Sequence, residues 1–183
     1  MQSFTTSRFL RTSSLPLRVT LTWFLAFVAV GYASNLTLLI WKTGFTPEGI
    51  AHYYRGYEAA LQFPKEFHEL LENTHFHIFI VPVVLLVLTH VFYMTTWSER
   101  AKLRVTSIAY GAALADIAAP WLVRYAGEGF AWWKLASAAT YHAALLFLVV
   151  VPLWETWFAP PPRDWDDDED DGAPGSGRDP ADV

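Results

Sequence analysis

The sequence predicts an all-α integral membrane protein: a four-helix bundle with a partly helical outer loop and a disordered acidic C-terminal tail. Of its 183 residues, 53% are hydrophobic. A membrane-spanning helix needs about 20 apolar residues, and four stretches approach or exceed that length. These predicted spans are residues 19–41, 76–97, 105–123 and 132–158.

Composition narrows the chemistry of the chain. Cysteine is absent, which excludes disulfides, thiolate metal sites and the usual c-type haem attachment motif. Nine of the 18 acidic residues lie from Arg163 onward, so the negative charge belongs to the tail and the body is close to neutral. We therefore expect a lipid bilayer as the first partner and no nucleic acid. Other membrane or cytochrome subunits, or further copies of this chain, remain open as partners.

The first span follows a flexible N-terminal segment, residues 1–16. Its apolar run continues to Trp41, beyond the usual length of a signal peptide, so we expect an uncleaved anchor. The segment before this span carries Arg8, Arg11 and Arg18, and the predicted turn 98–104 carries Arg100, Lys102 and Arg104. Basic residues favour the cytoplasmic side, so we expect the N-terminal segment and this turn to lie there. The sequence thus predicts a multi-pass protein of the bacterial inner membrane with both termini in the cytoplasm.

The outer loop, residues 42–73, carries helix signals of its own. Thr46 and Pro47 are typical of an N-cap and a first helical position, and we expect a helix from there to about Leu61. Its apolar stripe suits either the membrane surface or the bundle. Pro64 can open a second helix that runs without a break into the second span.

The third and fourth spans differ in character. The third is rich in small residues, and Gly111 and Ala115 predict close helix packing. In the fourth span, Lys134 and Glu155 lie near opposite ends, where we expect their charges to reach the interfaces. The tail from residue 159 is too acidic and too poor in apolar residues to fold.

Three polar side chains share one face of the helix that enters the second span. His68, Glu72 and His75 stand at i, i+4 and i+7, a spacing from which they can converge on a divalent metal ion. His52 adds a ligand if the two helices of the outer loop pack together. The alternative is a solvated stalk in which Glu72 pairs with His75.

A haem site is a second interpretation of the histidines. His90 lies on about the same helix face as His75, and His142 is the one histidine of the fourth span. One haem b ligated by His142 with either His75 or His90 is therefore a candidate. Either pairing needs helix tilt or a kink at Pro82, since the histidines differ in depth by about 10 Å.

Asp116 lies near the middle of the third span, at a depth close to that of His142. A buried carboxylate there can accept the imidazole N–H and orient the ring, as it does behind many metal-bound histidines. The same pair can relay protons or bind an ion. The remaining alternative is a structural hydrogen bond between two helices.

Several segments resemble a family of small bacterial inner-membrane proteins with four predicted spans and no established activity. They are TPEGIAHYYRG (46–56), FPK (63–65), ELLENTHFH (69–77), DIAAPWLVR (116–124) and PLWETW (152–157). The resemblance covers about residues 17–157. It implies the four-span topology and places His75, His77 and Asp116 in recognisable motifs, without implying a mechanism.

Three functions follow as alternatives. The chain is a redox membrane subunit with one b-type haem, a metal-binding sensor or accessory factor, or a purely structural membrane subunit. No nucleophile motif and no His-Glu-x-x-His metalloprotease motif is present. We therefore expect a protein that is not an enzyme on its own, although it can serve a redox complex.

Overall fold

The structure of the protein is a computed structural model that describes Leu10 and residues 13–159. Within that range the regular structure is helical, which confirms the predicted fold class. The helices are α1 (Leu15–Thr43), α2 (Pro47–Arg55), α3 (Phe67–Tyr93), α4 (Glu99–Trp121) and α5 (Phe130–Trp157). Most of the predicted flexible N-terminus and nearly all of the predicted acidic tail lie outside the described residues.

Four of these helices are long and apolar enough to cross a membrane, counting within the described chain. They are α1, α3, α4 with the π-helical turn Leu122–Ala126 that follows it, and α5. Each has 27 to 29 residues, and a rise of about 1.5 Å per residue makes that sufficient for the hydrocarbon core. The predicted number of spans is thus confirmed. Each helix starts before its predicted apolar run, and α3 ends at Tyr93, four residues before the predicted end of the second span.

Polar caps explain why α3 starts nine residues before the predicted span. The carboxylate of Glu66 accepts from the backbone at the third helical position, and Glu69 Oε2 accepts from Glu66 N at 3.0 Å. This reciprocal arrangement satisfies N–H groups that an isolated helix start leaves unpaired. Lys65 adds an ion pair to Glu69 at 3.2 Å. One helix runs from the loop into the span as predicted, but it starts at Phe67 and not at Pro64.

The short helix α2 begins as predicted and ends early. Thr46 caps it by accepting from Gly49 N, and Pro47 is its first residue. It ends at Arg55 instead of Leu61 because Gly56 has a φ of 86°, a left-handed conformation that a helix does not admit. A side chain at Gly56 would also meet the carbonyl of Gln62. Residues beyond Gly56 therefore form a separate turn.

Of the two placements left open for α2, the structure shows the one against the bundle. Ile50 and Tyr54 are buried in a small core with Leu70, Val123 and Ala131. The Arg55 guanidinium donates to the carbonyls of Val123 and Arg124 at 3.3 Å each, in the π-helical turn. These bonds satisfy carbonyls that the irregular turn leaves free, so α2 and this turn hold each other in place.

The main core lies between α3, α4 and α5, with α1 at the side. Leu85, Leu88 and Phe92 of α3 meet Leu145 and Leu148 of α5 there. Small residues of α4 allow the close approach, but the buried ones are Ala109, Ala112, Ala113 and Ala119. The prediction for Gly111 is wrong, because Gly111 is exposed with open space around it.

Helix α1 packs less closely than the others. It contacts α5 and α2, whereas α3 packs on α4 and α5. Within the helix, Leu25 and Thr43 are its buried residues. This arrangement leaves a gap between α1 and α3 on one side of the bundle.

Candidate functional site

A cleft of about 630 Å³ occupies that gap at the end of the bundle that carries α2, here called the α2 end. Helices α1 and α3 form its walls, α4 and α5 form its floor, and Tyr53 and Tyr54 of α2 also line it. The cleft has the size of ordinary small-molecule sites, which are about 300–1,000 Å³. Its charged lining residues are Lys42, Lys65, Lys134, Glu69, Glu72 and Asp116.

An ion pair between α4 and α5 forms part of the floor. Lys134 Nζ lies 2.7 Å from Asp116 Oδ1, and it also donates to the Asp116 carbonyl at 3.2 Å. The Lys134 side chain is 8% exposed and that of Asp116 is 18% exposed. Ser137 Oγ lies 3.5 Å from the same carboxylate oxygen. The carboxylate is thus held by groups from the first two turns of α5.

Two predictions are corrected here. Lys134 does not extend to an interface, because a charge partner inside the bundle offers it a better place. Asp116 does not pair with His142, since Lys134 stands eight residues, or about 12 Å, nearer the start of α5. An ammonium group is also a stronger partner for a carboxylate than a neutral imidazole.

His142 is buried, at 7% exposure, and lines the cleft. Its Nδ1 lies 2.8 Å from the carbonyl oxygen of Ala138. A carbonyl only accepts, so Nδ1 donates this hydrogen bond. Nε2 has no hydrogen-bond partner among the described residues and can accept when only Nδ1 carries a proton. The rings of Tyr32 and Tyr141 lie 5.5 and 5.6 Å from the imidazole. This geometry fixes the tautomer in the manner of a ligating histidine.

His77 is the site residue that sequence reasoning missed. It lines the same cleft, and its Nδ1 lies 2.7 Å from the carbonyl of Asn73. By the same argument its Nε2 is free. The signal was present in the spacing, because His77 stands seven residues after Leu70 and four before Val81. Both of those residues are buried, so this face of α3 turns inward.

The other histidines of α3 lie elsewhere. His75 and His90 are exposed, and His75 contacts the edge of the Phe79 ring at 5.1 Å. Neither lines the cleft that His142 faces. The structure therefore does not bring His142 together with His75 or His90, the two pairings predicted for a haem.

The four residues predicted to bind a metal also stay apart. His68 Nδ1 contacts Glu66 Oε2 at 3.1 Å, and the His52 ring stacks on Tyr57 with centroids 4.1 Å apart. Glu72 lines the cleft, whereas His75 faces away from it. Across the described chain, no group of three or more such side chains is arranged to hold a metal ion.

Tyr54 adds a hydrogen-bond donor to the α2 end of the cleft. Burial, first of all, and then Tyr53 and Asp116 raise the pKa of its phenol above the ordinary value. The hydroxyl therefore stays protonated at any physiological pH. It has no hydrogen-bond partner among the described residues, and it remains free to donate to a group in the cleft.

A second buried carboxylate lies at the opposite end of the bundle. Glu155 accepts from Thr96 N at 2.8 Å and from Thr96 Oγ1 at 3.0 Å. The side chain is buried instead of extended outward as expected, because it caps the turn between α3 and α4 from the inside. We assign it a structural role.

Four helices of spanning length, which expose many large apolar side chains, define an integral membrane protein in a lipid bilayer. Residues 44–163 match the Aq_1264_TM family, described as a transmembrane helical domain. The chain belongs to this family, which has no established activity. Helix α1 lies outside the matched region. No curated protein and no solved structure matches the chain.

Proposed function

We propose that this protein is a ligand-binding subunit of the bacterial inner membrane and that its ligand occupies the cleft. The observation that carries the proposal is the convergence of Asp116, Lys134 and His142 on one cavity among apolar helices. A charged side chain at the centre of a membrane helix costs about 2.5–3.5 kcal/mol on insertion scales. Such groups usually line a ligand or ion site rather than the packed interior.

The proposed site faces the outside of the cell. The first two turns of α4, at the opposite end of the bundle, carry Arg100, Lys102 and Arg104, and basic residues favour the cytoplasmic side. The α2 end would then be periplasmic, where a ligand can reach the cleft from the outer leaflet.

Haem b is one occupant that this proposal admits. His142 would supply one nitrogen ligand, because it lines the cleft and its Nε2 has no hydrogen-bond partner among the described residues. His77 supports the second position better than His75 or His90 does, since it lines the same cavity. A haem held this way would make the protein an electron-transfer subunit, in line with the histidine content of the spans.

A metal site at His52, His68, Glu72 and His75 remains a separate prediction. These side chains would have to move together, because each now has a different neighbour or faces solvent. Metal analysis of the purified protein tests it directly. A stoichiometric divalent ion that is lost in His68→Ala would support it.

The experiment for the proposed function is an inventory of what the detergent-purified full-length protein carries. An absorption spectrum, oxidised and then dithionite-reduced, detects haem, and solvent extraction with mass spectrometry detects colourless compounds. We expect one compound close to one per chain, which His142→Leu loses and His90→Leu keeps. The proposal would be contradicted if the protein carried no compound at that stoichiometry. It would also be contradicted if both variants lost the compound to the same extent.

A further inference from the structure

The cleft opens sideways toward lipid. Leu38 of α1 and Phe76 of α3 both line it, and they are 46% and 63% exposed. Exposed apolar side chains on spanning helices face acyl chains, so Leu38 and Phe76 form the apolar edges of the opening on its two sides. A molecule dissolved in the bilayer can therefore enter between α1 and α3 without crossing water.

The charges around the cleft balance. Lys42, Lys65 and Lys134 stand against Glu69, Glu72 and Asp116, which is three positive against three negative groups. Two of the lysines are already paired, Lys65 with Glu69 and Lys134 with Asp116. A ligand head group that carries a net charge would find no unpaired counter-charge on the floor, where desolvation is most costly. The floor suits a neutral polar head group.

The floor also presents both donors and acceptors. Lys134 Nζ has three N–H groups and uses two on Asp116, so one is left. Tyr141, which also lines the cleft, carries a hydroxyl as a second donor. On the accepting side stand His142 Nε2 and Asp116 Oδ2, and within the described chain Asp116 Oδ2 has no hydrogen-bond partner. A ring with carbonyl oxygens would accept from the first pair. The same ring with hydroxyls would donate to the second.

We propose that the occupant of the cleft is a lipid-soluble quinone or quinol, bound by its ring at the floor with its tail leaving between Leu38 and Phe76. This inference rests on the proposed function and specifies the ligand. A neutral ring with two opposed oxygens, interconvertible between acceptor and donor, matches the floor in both forms. An apolar tail matches the lateral opening.

The test uses a decyl-substituted 2,3-dimethoxy-5-methyl-1,4-benzoquinone and the delipidated full-length protein in detergent. Isothermal titration calorimetry measures the affinity and stoichiometry of binding. We expect binding close to one per chain. His142→Leu should weaken it about tenfold, because a buried hydrogen-bond partner is lost. The matched control is His90→Leu, a histidine in an exposed position of a span, which should stay within about twofold of the parent. His142→Gln, which keeps polarity and size, serves if the leucine variant unfolds.

A second pair of variants tests the route of entry. Leu38→Trp narrows the lateral opening and should slow association of the quinone, whereas Leu86→Trp lies on exposed α3 surface away from the cleft and should not. Equal effects of the two tryptophans would overturn lateral entry.

A different molecule in the cleft would contradict the quinone and still support a ligand-binding site. A Soret band at one haem per chain, or displacement of the extracted compound by phosphatidylglycerol alone, would overturn the quinone and leave a ligand-binding cleft. If the quinone does not bind and the purified protein carries no compound, both the quinone site and the proposed ligand-binding function are contradicted.

Discussion

Asp116 and Lys134 show what decides a polar contact inside the bundle. Sequence reasoning placed Asp116 in the middle of a span and identified it as a site residue, because a carboxylate at that depth needs a partner. It chose the wrong partner, since Lys134, Ser137 and His142 lie within about two turns of one helix. Which of them meets Asp116 depends on the axial register of α4 against α5, and register comes from packing rather than from periodicity.

Breaking this ion pair from one side should destabilise the protein. Lys134→Met leaves the Asp116 carboxylate buried without a counter-charge, and we expect a loss of about 3 kcal/mol in the free energy of unfolding. The double variant Lys134→Met with Asp116→Leu should recover most of that loss, because no orphan charge remains. Unfolding in mixed detergent micelles measures both.

Lys42→Met is the control for this cycle, since Lys42 is exposed and no ion pair with it occurs among the described residues. It should change stability by less than about 1 kcal/mol, because its contact is a cation–π interaction with the Tyr53 ring at 5.8 Å. A double variant no more stable than Lys134→Met would show that the unpaired Asp116 carboxylate is not the cause of the loss.

At the scale of elements, hydropathy and caps were predictable and irregular backbone was not. The spans, the Thr46 cap and the continuity of α3 all follow from local signals. The early end of α2 had a local signal that was not used, because Gly56 directly follows the last helical residue and has a φ of 86°. The π-helical turn Leu122–Ala126, in contrast, is bonded to Arg55, 68 residues away from the first carbonyl it contacts.

Two glycines make a matched test of how tightly α2 docks. A Cβ at Gly49 would overlap the carbonyl oxygen of Thr43, whereas a Cβ at Gly111 meets nothing within 4 Å. We expect Gly49→Ala to cost about 1–3 kcal/mol through overpacking. Gly111→Ala should be neutral or stabilising by about 0.5–1 kcal/mol, because alanine favours a helix over glycine.

Thermal unfolding of the two variants under one set of conditions measures the difference. If Gly49→Ala were as stable as Gly111→Ala, the close approach between the end of α1 and the start of α2 would be absent from the protein in solution.

The whole molecule is a tight group of three spanning helices with a fourth at its side. The family match begins at residue 44 and leaves α1 out, yet α1 supplies one wall of the cleft through Asn35, Leu38 and Lys42. A cleft between α1 and α3 could not be predicted from the sequence, because each helix has the composition of an ordinary span. His77 was left out of the predicted site residues although its spacing from the apolar Leu70 and Val81 places all three on one helix face.

The proposed orientation has a direct test that the composition makes simple. The chain contains no cysteine, so single cysteines can be introduced without a background. Glu58→Cys at the α2 end should react with a membrane-impermeant maleimide in intact cells, and Arg100→Cys at the other end should react only after lysis. The reverse pattern would place the cleft toward the cytoplasm and would contradict the proposed topology.

The central claim is that the cleft holds a small molecule, and native mass spectrometry of the protein released from detergent tests it most directly. We predict that the parent and His90→Leu each carry one bound molecule of the same mass, and that His142→Leu appears as the bare chain. Bare chain in all three proteins, or the same bound mass on all three, would contradict a ligand site built around His142.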